Sequence, residues 1–157
     1  MEVKFAEEKD IPDIDRLLFQ VEKIHHDGRP DLFRNGAKKY TDDELKKILS
    51  DKKTPVLGAY DDGKLKGYAF CIIKENNGDN VLADMKTLYI DDLCVDENCR
   101  GEHIGQLLFE SAKKFAKEIG CYNVTLNVWE CNPTARRFYE RMGMMPYKTA
   151  MEYILEN

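Results

Sequence analysis

Val95-Asp96-Glu97-Asn98-Cys99-Arg100-Gly101-Glu102-His103-Ile104-Gly105-Gln106-Leu107-Leu108 is the stretch that decides the fold. It leaves a β-rich run, turns through a loop containing Gly101, and enters a helix that carries Gly105 in its first turn. A junction of this kind makes an anion site. Free backbone N–H groups point outward at the helix start, the helix dipole adds about half a positive charge, and glycines let phosphate oxygens approach the backbone. Arg100 adds a fixed cation able to pair with a phosphate. Taken alone, the loop reads equally well as a turn that needs small residues. A Walker loop is excluded because no Gly-Lys-Ser/Thr follows.

Downstream, Ile104, Leu107, Leu108, Ser111, Ala112, Phe115, Ala116 and Ile119 recur at helical spacing, and Gly120 is placed to end that helix in the left-handed region. Val124, Leu126 and Val128 then alternate as a strand does. Asn132-Pro133 supplies an N-cap and a first-turn proline for a short helix to Met142, closed by Gly143. Met151, Tyr153 and Leu155 alternate, which predicts a last strand.

Upstream, residues 55–60 and 65–74 are β-rich and flank Asp61-Asp62-Gly63-Lys64, a hairpin pattern. A third strand follows Asn76-Asn77-Gly78 and runs from Met85 to Val95, giving an antiparallel meander that disfavours a dinucleotide-binding βαβ unit. Val3 to Phe5 starts a short strand. Asp10 is placed to cap a helix with Ile11, Ile14, Leu17, Leu18, Val21 and Ile24 on one face. Thr41 and Glu44 form a capping box for a second helix, and the HHDGRPDLFRNG segment between them reads as a loop. The sum is an α/β chain with a mixed, mostly antiparallel sheet and about four helices.

The 157 residues, 43% of them apolar, suit one domain over 1–157 with its own core. No N-terminal run has signal-peptide order and no apolar stretch approaches the ~20 residues of a membrane span, so the expected compartment is the cytosol, away from membranes. Five cysteines, an odd number, fit reduced thiols there. They include no C-x-x-C pair, and His25, His26 and His103 complete no ligand set, so no metal is expected. A net charge of −5 disfavours nucleic acid and suits a cationic partner.

Two segments carry a resemblance. RGEHIGQLL is similar to the pyrophosphate loop of the GNAT N-acetyltransferase superfamily, Arg/Gln-x-x-Gly-x-Gly/Ala, with His103 where glycine is usual. NPTARRFYERMG, from Asn132 to Gly143, resembles that family's Asn-x-x-Ala-x-x-Phe-Tyr-Glu-x-x-Gly signature. Both occur in the family's order with a strand between them, and the element order matches over nearly the whole chain, the first 50 residues only in outline.

The resemblance implies a GNAT-like fold whose strands splay at an acetyl-CoA site, and an acetyl-CoA-dependent N-acetyltransferase acting by direct transfer. On that basis the backbone of Leu93, Cys94 and Val95 would meet the pantetheine arm. Arg100, Gly101, Glu102, His103, Ile104, Gly105 and Gln106 would hold the diphosphate, with Asn132, Ala135 and Phe138 along the arm. Dimers are common among similar proteins, so a homodimer is a further expectation.

An alkyl ammonium has a pKa near ~10.4, so an acceptor must lose a proton before attack. Thioester attack creates an oxyanion, for which the Leu93 amide is the family-like donor. Tyr139 matches the family's general acid for the departing thiolate. Asp91 and Asp92 fall where spermidine/spermine acetyltransferases carry an acidic pair. Adjacent strand residues alternate faces, so one of the two is expected in the cleft. The resemblance implies Asp91 as the base, acting through water, and Asp92 as a recognition charge; the residues alone read equally well as a pair of solvated carboxylates.

His26 and Phe33 fall where relatives contact the acceptor. Three functions stay open: acetylation of a small amine, acetylation of a protein N-terminus or lysine, and a non-catalytic acyl-CoA-binding module. Tyr139 together with a strand carboxylate argues against the last.

Overall fold

The structure is a computed structural model that describes residues 1–156. Strand β1 (Glu2–Phe5) leads through a short 3-10 turn into helix α1 (Ile11–Gly28), and helix α2 (Asp42–Ser50) follows. Three strands come next: β2 (Val56–Asp61), β3 (Lys64–Asn76) and β4 (Met85–Val95). Helix α3 (Ile104–Glu118), strand β5 (Asn123–Leu126) and helix α4 (Pro133–Arg141) complete the order.

The five strands form one sheet in the order β1-β2-β3-β4-β5. The first three pairings are antiparallel and β4–β5 is parallel. The mixed, mostly antiparallel sheet with four helices is the architecture that the element order predicts.

Each face of the sheet has its own core. Ile14, Leu17 and Leu18 of α1 and Leu45 of α2 pack on Tyr68, Phe70 and Cys94 on one side. Ile104, Leu108, Phe109, Ala112 and Ala116 of α3 cover Leu57, Ala69, Leu88 and Ile90 on the other. Burying each such leucine or isoleucine contributes about 1.5–3 kcal/mol.

Phe109 belongs to the buried face of α3, whereas Leu107, predicted there, is on the exposed side. Gly120 adopts φ +82 just past the helix, where a left-handed residue costs glycine little.

The Thr41 capping box is present in both directions. Thr41 Oγ1 accepts from the Glu44 N–H and Glu44 Oε1 from the Thr41 N–H, each at 3.1 Å. Asp10 occupies the N-cap position of α1 but does not cap it. Its carboxylate instead accepts from the Glu7 N–H at 2.8 Å and the buried Tyr60 hydroxyl at 2.7 Å, closing the preceding 3-10 turn.

Helix α1 also runs further than predicted, through His25, His26 and Asp27 to Gly28. It stops because Pro30 disfavours helical backbone at Arg29, which sits at φ −140.

The predicted last strand does not form. Residues 144–156 take no part in the sheet, and Met151, Tyr153 and Leu155 are exposed. Alternation alone does not make a strand: this segment pairs with neither edge of the sheet.

Candidate active site

The site begins where two strands part. The pairing of β4 with β5 runs from Thr87–Asn123 to Ile90–Leu126 and ends there, while β4 continues to Val95. Beyond Ile90 one side of β4 has no strand beside it. In an antiparallel ladder alternate residues turn both backbone groups toward the partner. The Asp96 N–H donates to Lys66 O of the β3 side at 2.8 Å, and Cys94, opposite Tyr68, shares that parity. Leu93 and Val95 therefore direct their N–H and C=O groups into the gap. Cys94 does not, and its thiol lies against Leu17 O at 3.6 Å. Burial pushes that thiol up to about 12, which makes it a poor nucleophile.

A β-bulge rearranges the two carboxylates. Phe70 faces Asp92 and Cys71 faces Ile90, so Asp91 is the extra residue. Leu88 and Ile90 before it, and Leu93 and Val95 after it, all face α3. The bulge absorbs the change of parity, and both aspartates project to the α1–α2 side. The expectation that adjacent strand residues take opposite faces fails here for that reason. Asp91 accepts from the Tyr40 hydroxyl and pairs with Lys39 Nζ at 3.0 Å. Asp92 accepts from the Tyr68 hydroxyl at 2.8 Å. Burial pushes Asp92 up to about 6, against the opposing pull of Tyr68 and Lys39.

The junction after β4 is locked by α1. Arg16 pairs with the buried Asp96, and Gln20 Oε1 accepts from the Glu97 N–H at 3.1 Å. Asp96 Oδ1 accepts from the Asn98 N–H at 3.1 Å. Burial alone would raise this carboxyl, but the Asn98 N–H and Arg16 hold it below its ordinary value.

The following loop exposes Arg100, Gly101, Glu102 and His103, with Gly101 at φ +88 and His103 at φ +61. The left-handed backbone at His103 is the physical reason a glycine suits this position. No side chain caps α3, whereas Thr41 and Asn132 cap α2 and α4, so the first N–H groups of α3 are open to an anion. Among the described residues Arg100 has no ion-pair partner. Gln106 is exposed, and Ile104 is buried in the core.

Helix α4 closes the other side. Asn132 Oδ1 caps the Ala135 N–H at 3.2 Å, so its carbonyl oxygen is already engaged in holding α4. Phe138 lies over the first turn of α3, where a Cβ on Gly105 would come within 3.3 Å of its ring. Tyr139 packs beside Phe138 and Phe109, with ring centroids 5.2 and 6.3 Å away. Burial and the charge of Asp92 keep its phenol protonated, above its ordinary range. Among the described residues its hydroxyl has no protein hydrogen-bond partner.

The α1–α2 connection reaches the same region. His26 Nδ1 meets Phe33 O at 2.8 Å, and the Phe33 ring stands edge-on to Trp129 at 5.0 Å. Gly28 lets α1 approach Cys131 so closely that a Cβ would lie 2.9 Å from its Sγ. His26 therefore braces the segment, and Phe33 with Trp129 forms an aromatic wall. Trp129, Tyr40 and Lys39 escape a sequence reading. A lone aromatic or lysine in a loop carries no spacing signal, and only the bulge at Asp91 brings Tyr40 and Lys39 together with it.

The acetyltransferase (GNAT) family profile matches residues 20–144. The chain belongs to that family. This GNAT chain is 30% identical over 139 residues to an uncharacterized N-acetyltransferase of Archaeoglobus fulgidus, covering 88% of this chain and 89% of the relative. It is 26% identical over 117 residues to a glucosamine 6-phosphate N-acetyltransferase of Arabidopsis thaliana, covering 66% and 70%. Among solved structures, a mutant of the BH1408 protein from Bacillus halodurans superposes with a TM-score of 0.95 at 30% identity. That match covers 99% of this GNAT chain and 100% of the other.

Proposed function

We propose that this GNAT chain is an acetyl-CoA-dependent N-acetyltransferase whose acceptor is a small primary amine. One observation carries the reading: the gap beyond Ile90–Leu126 receives the Leu93 and Val95 backbone groups and is flanked by the Tyr139 phenol and by Asp92. These residues fit acetyl-CoA. The uncapped start of α3 and the left-handed loop at Gly101 and His103 offer N–H donors to a diphosphate, with Arg100 beside them. Leu93 and Val95 offer strand-like hydrogen bonds to an amide-bearing arm. Ala135 and Phe138 supply its apolar flank.

When bound, acetyl-CoA supplies an acyl group on a thioester. The protein's own part is positioning and proton transfer. The Leu93 N–H is the donor aimed where an acyl oxygen would rest. Tyr139 stays protonated across neutral pH and donates to the departing sulfur.

The roles expected of the two aspartates are exchanged: Asp92, held near 6, rather than Asp91, takes the ammonium proton through water, since a base works best when its pKa lies close to the operating pH. Asp91 has its carboxylate engaged by Tyr40 and Lys39, so it can serve as a recognition charge only for a cationic acceptor that displaces the lysine. The amino sugar named for the Arabidopsis thaliana relative falls within this acceptor class.

The test is release of coenzyme A thiol from acetyl-CoA across a panel of amino sugars, polyamines, aminoglycosides, amino acids and peptides. Turnover with a small amine and none with peptides is the expected result. Heatless titration with acetyl-CoA in calorimetry, or turnover confined to peptides, overturns the reading.

A further inference from the structure

One of the protein's own amines sits on the acceptor side of the site. Lys39 Nζ lies 3.0 Å from Asp91 Oδ2 and donates to Asp91 O at 3.2 Å, and its charge also bears on Asp92. Among the described residues Lys39 is the one lysine paired with a carboxylate of the site. Lys38, next to it in sequence, is taken up elsewhere, by Asp15 at 2.7 Å and Asp42 at 2.6 Å. On the other flank the Tyr40 ring stacks on Phe70 with centroids 5.6 Å apart, and its hydroxyl donates to Asp91. These two neighbours anchor the backbone on either side, and Lys39 reaches β4 from between them.

A primary amine is thereby held where the proposed reaction needs one. A cationic acceptor reaches Asp91 only by displacing this lysine, so Lys39 Nζ stands in the acceptor's position. The bulge turns Asp91 and Asp92 to the same side, which puts the proton-accepting carboxylate next to the one that holds the ammonium. The lysine side chain is 35% exposed, and its flexible four-carbon stem has room to swing from Asp91 toward the gap between β4 and β5.

We propose that the protein acetylates its own Lys39. The inference rests on the acetyltransferase reading above. Lys39 Nζ gives up two protons: the first passes through water to Asp92, and the second replaces the one that Tyr139 hands to the sulfur. The C–N bond forms as the C–S bond breaks. One lysine ammonium and one acetyl-CoA thus become one acetyl-lysine, one free thiol and one proton, with no oxidant or reductant required. The product amide carries no charge and cannot hold Asp91. The modification therefore opens that carboxylate to a cationic acceptor, as Lys39→Met would.

The experiment incubates the full chain with acetyl-CoA isotopically labelled in its acetyl group and no added amine, then locates the label by intact mass and by fragment spectra that separate Lys38 from Lys39. The expected result is a gain approaching one acetyl per chain, carried by Lys39, with Lys38 unlabelled. The rate constant should not change on dilution of the protein, as transfer within one chain requires. Tyr139→Phe and Asp92→Asn, each with unchanged far-ultraviolet circular dichroism, should slow the labelling about 10²-fold or more. An acetyl already on Lys39 in the purified wild type, absent from purified Tyr139→Phe, is the same result. Acetic anhydride in place of acetyl-CoA reads bare chemical reactivity: Lys9 and Lys23, with side chains 70% and 73% exposed, should take that label ahead of Lys39. The panel of amines is run in parallel. Turnover of a panel amine with Lys39 unmodified overturns this inference and leaves the enzyme reading standing, whereas no modification and no turnover overturns both. Label spread over the exposed lysines, a rate that falls on dilution, labelling undiminished in both variants, or Lys39 leading the anhydride series overturns the inference as well.

Discussion

The Tyr68 hydroxyl donates to Asp92 Oδ2 at 2.8 Å, and this contact ties the buried ring of the α1-side core to the carboxylate nearest the splayed strands. Because burial raises Asp92 to about 6 from 3.8, its protonated form is favoured by folding. The linked stability is fully present below about pH 4 and is lost as pH rises through about 6. Asp92→Asn is expected to flatten that slope in urea midpoints measured from pH 4 to 8. In the same variant kcat/KM should fall about 10²-fold, and its rise through pH 6 should disappear.

Tyr139→Phe keeps the ring packed on Phe138 and Phe109 and removes only the hydroxyl. Turnover is expected to fall about 10²-fold or more while acetyl-CoA affinity, read by calorimetry, stays within about 2-fold. Full turnover would take Tyr139 out of the proton path.

Lys39 Nζ lies 3.0 Å from Asp91 Oδ2 and donates to Asp91 O at 3.2 Å. A cationic acceptor directed to Asp91 has to compete with this tethered ammonium. Lys39→Met should lower KM for cationic amines several-fold with kcat little changed. A rise in KM would mean that Lys39 organises the pocket instead.

His103 holds φ +61 at the start of α3. A left-handed residue with a Cβ costs on the order of 1 kcal/mol, part of which glycine returns as greater freedom of the unfolded chain. His103→Gly should therefore raise the urea midpoint slightly, and His103→Val should lower it.

Much of this architecture is legible in the residues, because local chemistry writes it. Thr41 with Glu44, Asn132 with Pro133, and Gly120 each fix an end through one or two hydrogen bonds or one backbone angle, and the structure has all three ends there. The α3 face and the hairpin at Asp61–Lys64 are likewise local. What the residues do not spell out is non-local.

The bulge at Asp91 depends on how β3 registers against β4, and strict alternation places the neighbouring aspartate on the wrong face. Asp10 looks like a cap but is taken by Tyr60, far away in sequence. Met151, Tyr153 and Leu155 have strand periodicity with no strand beside them in their own chain.

A Cβ at position 105 would lie 3.3 Å from the Phe138 ring, so even alanine there asks the ring to give by a few tenths of an ångström. The glycine lets that ring sit close against the first turn of α3. The Phe33–Trp129 wall is held instead from outside, by His26 on Phe33 O and by the close approach of Gly28 to Cys131. A lineage changing its acceptor can vary the wall at residues 30–37, whereas Lys39 and Tyr40 are tied to Asp91 and Thr41 to the start of α2.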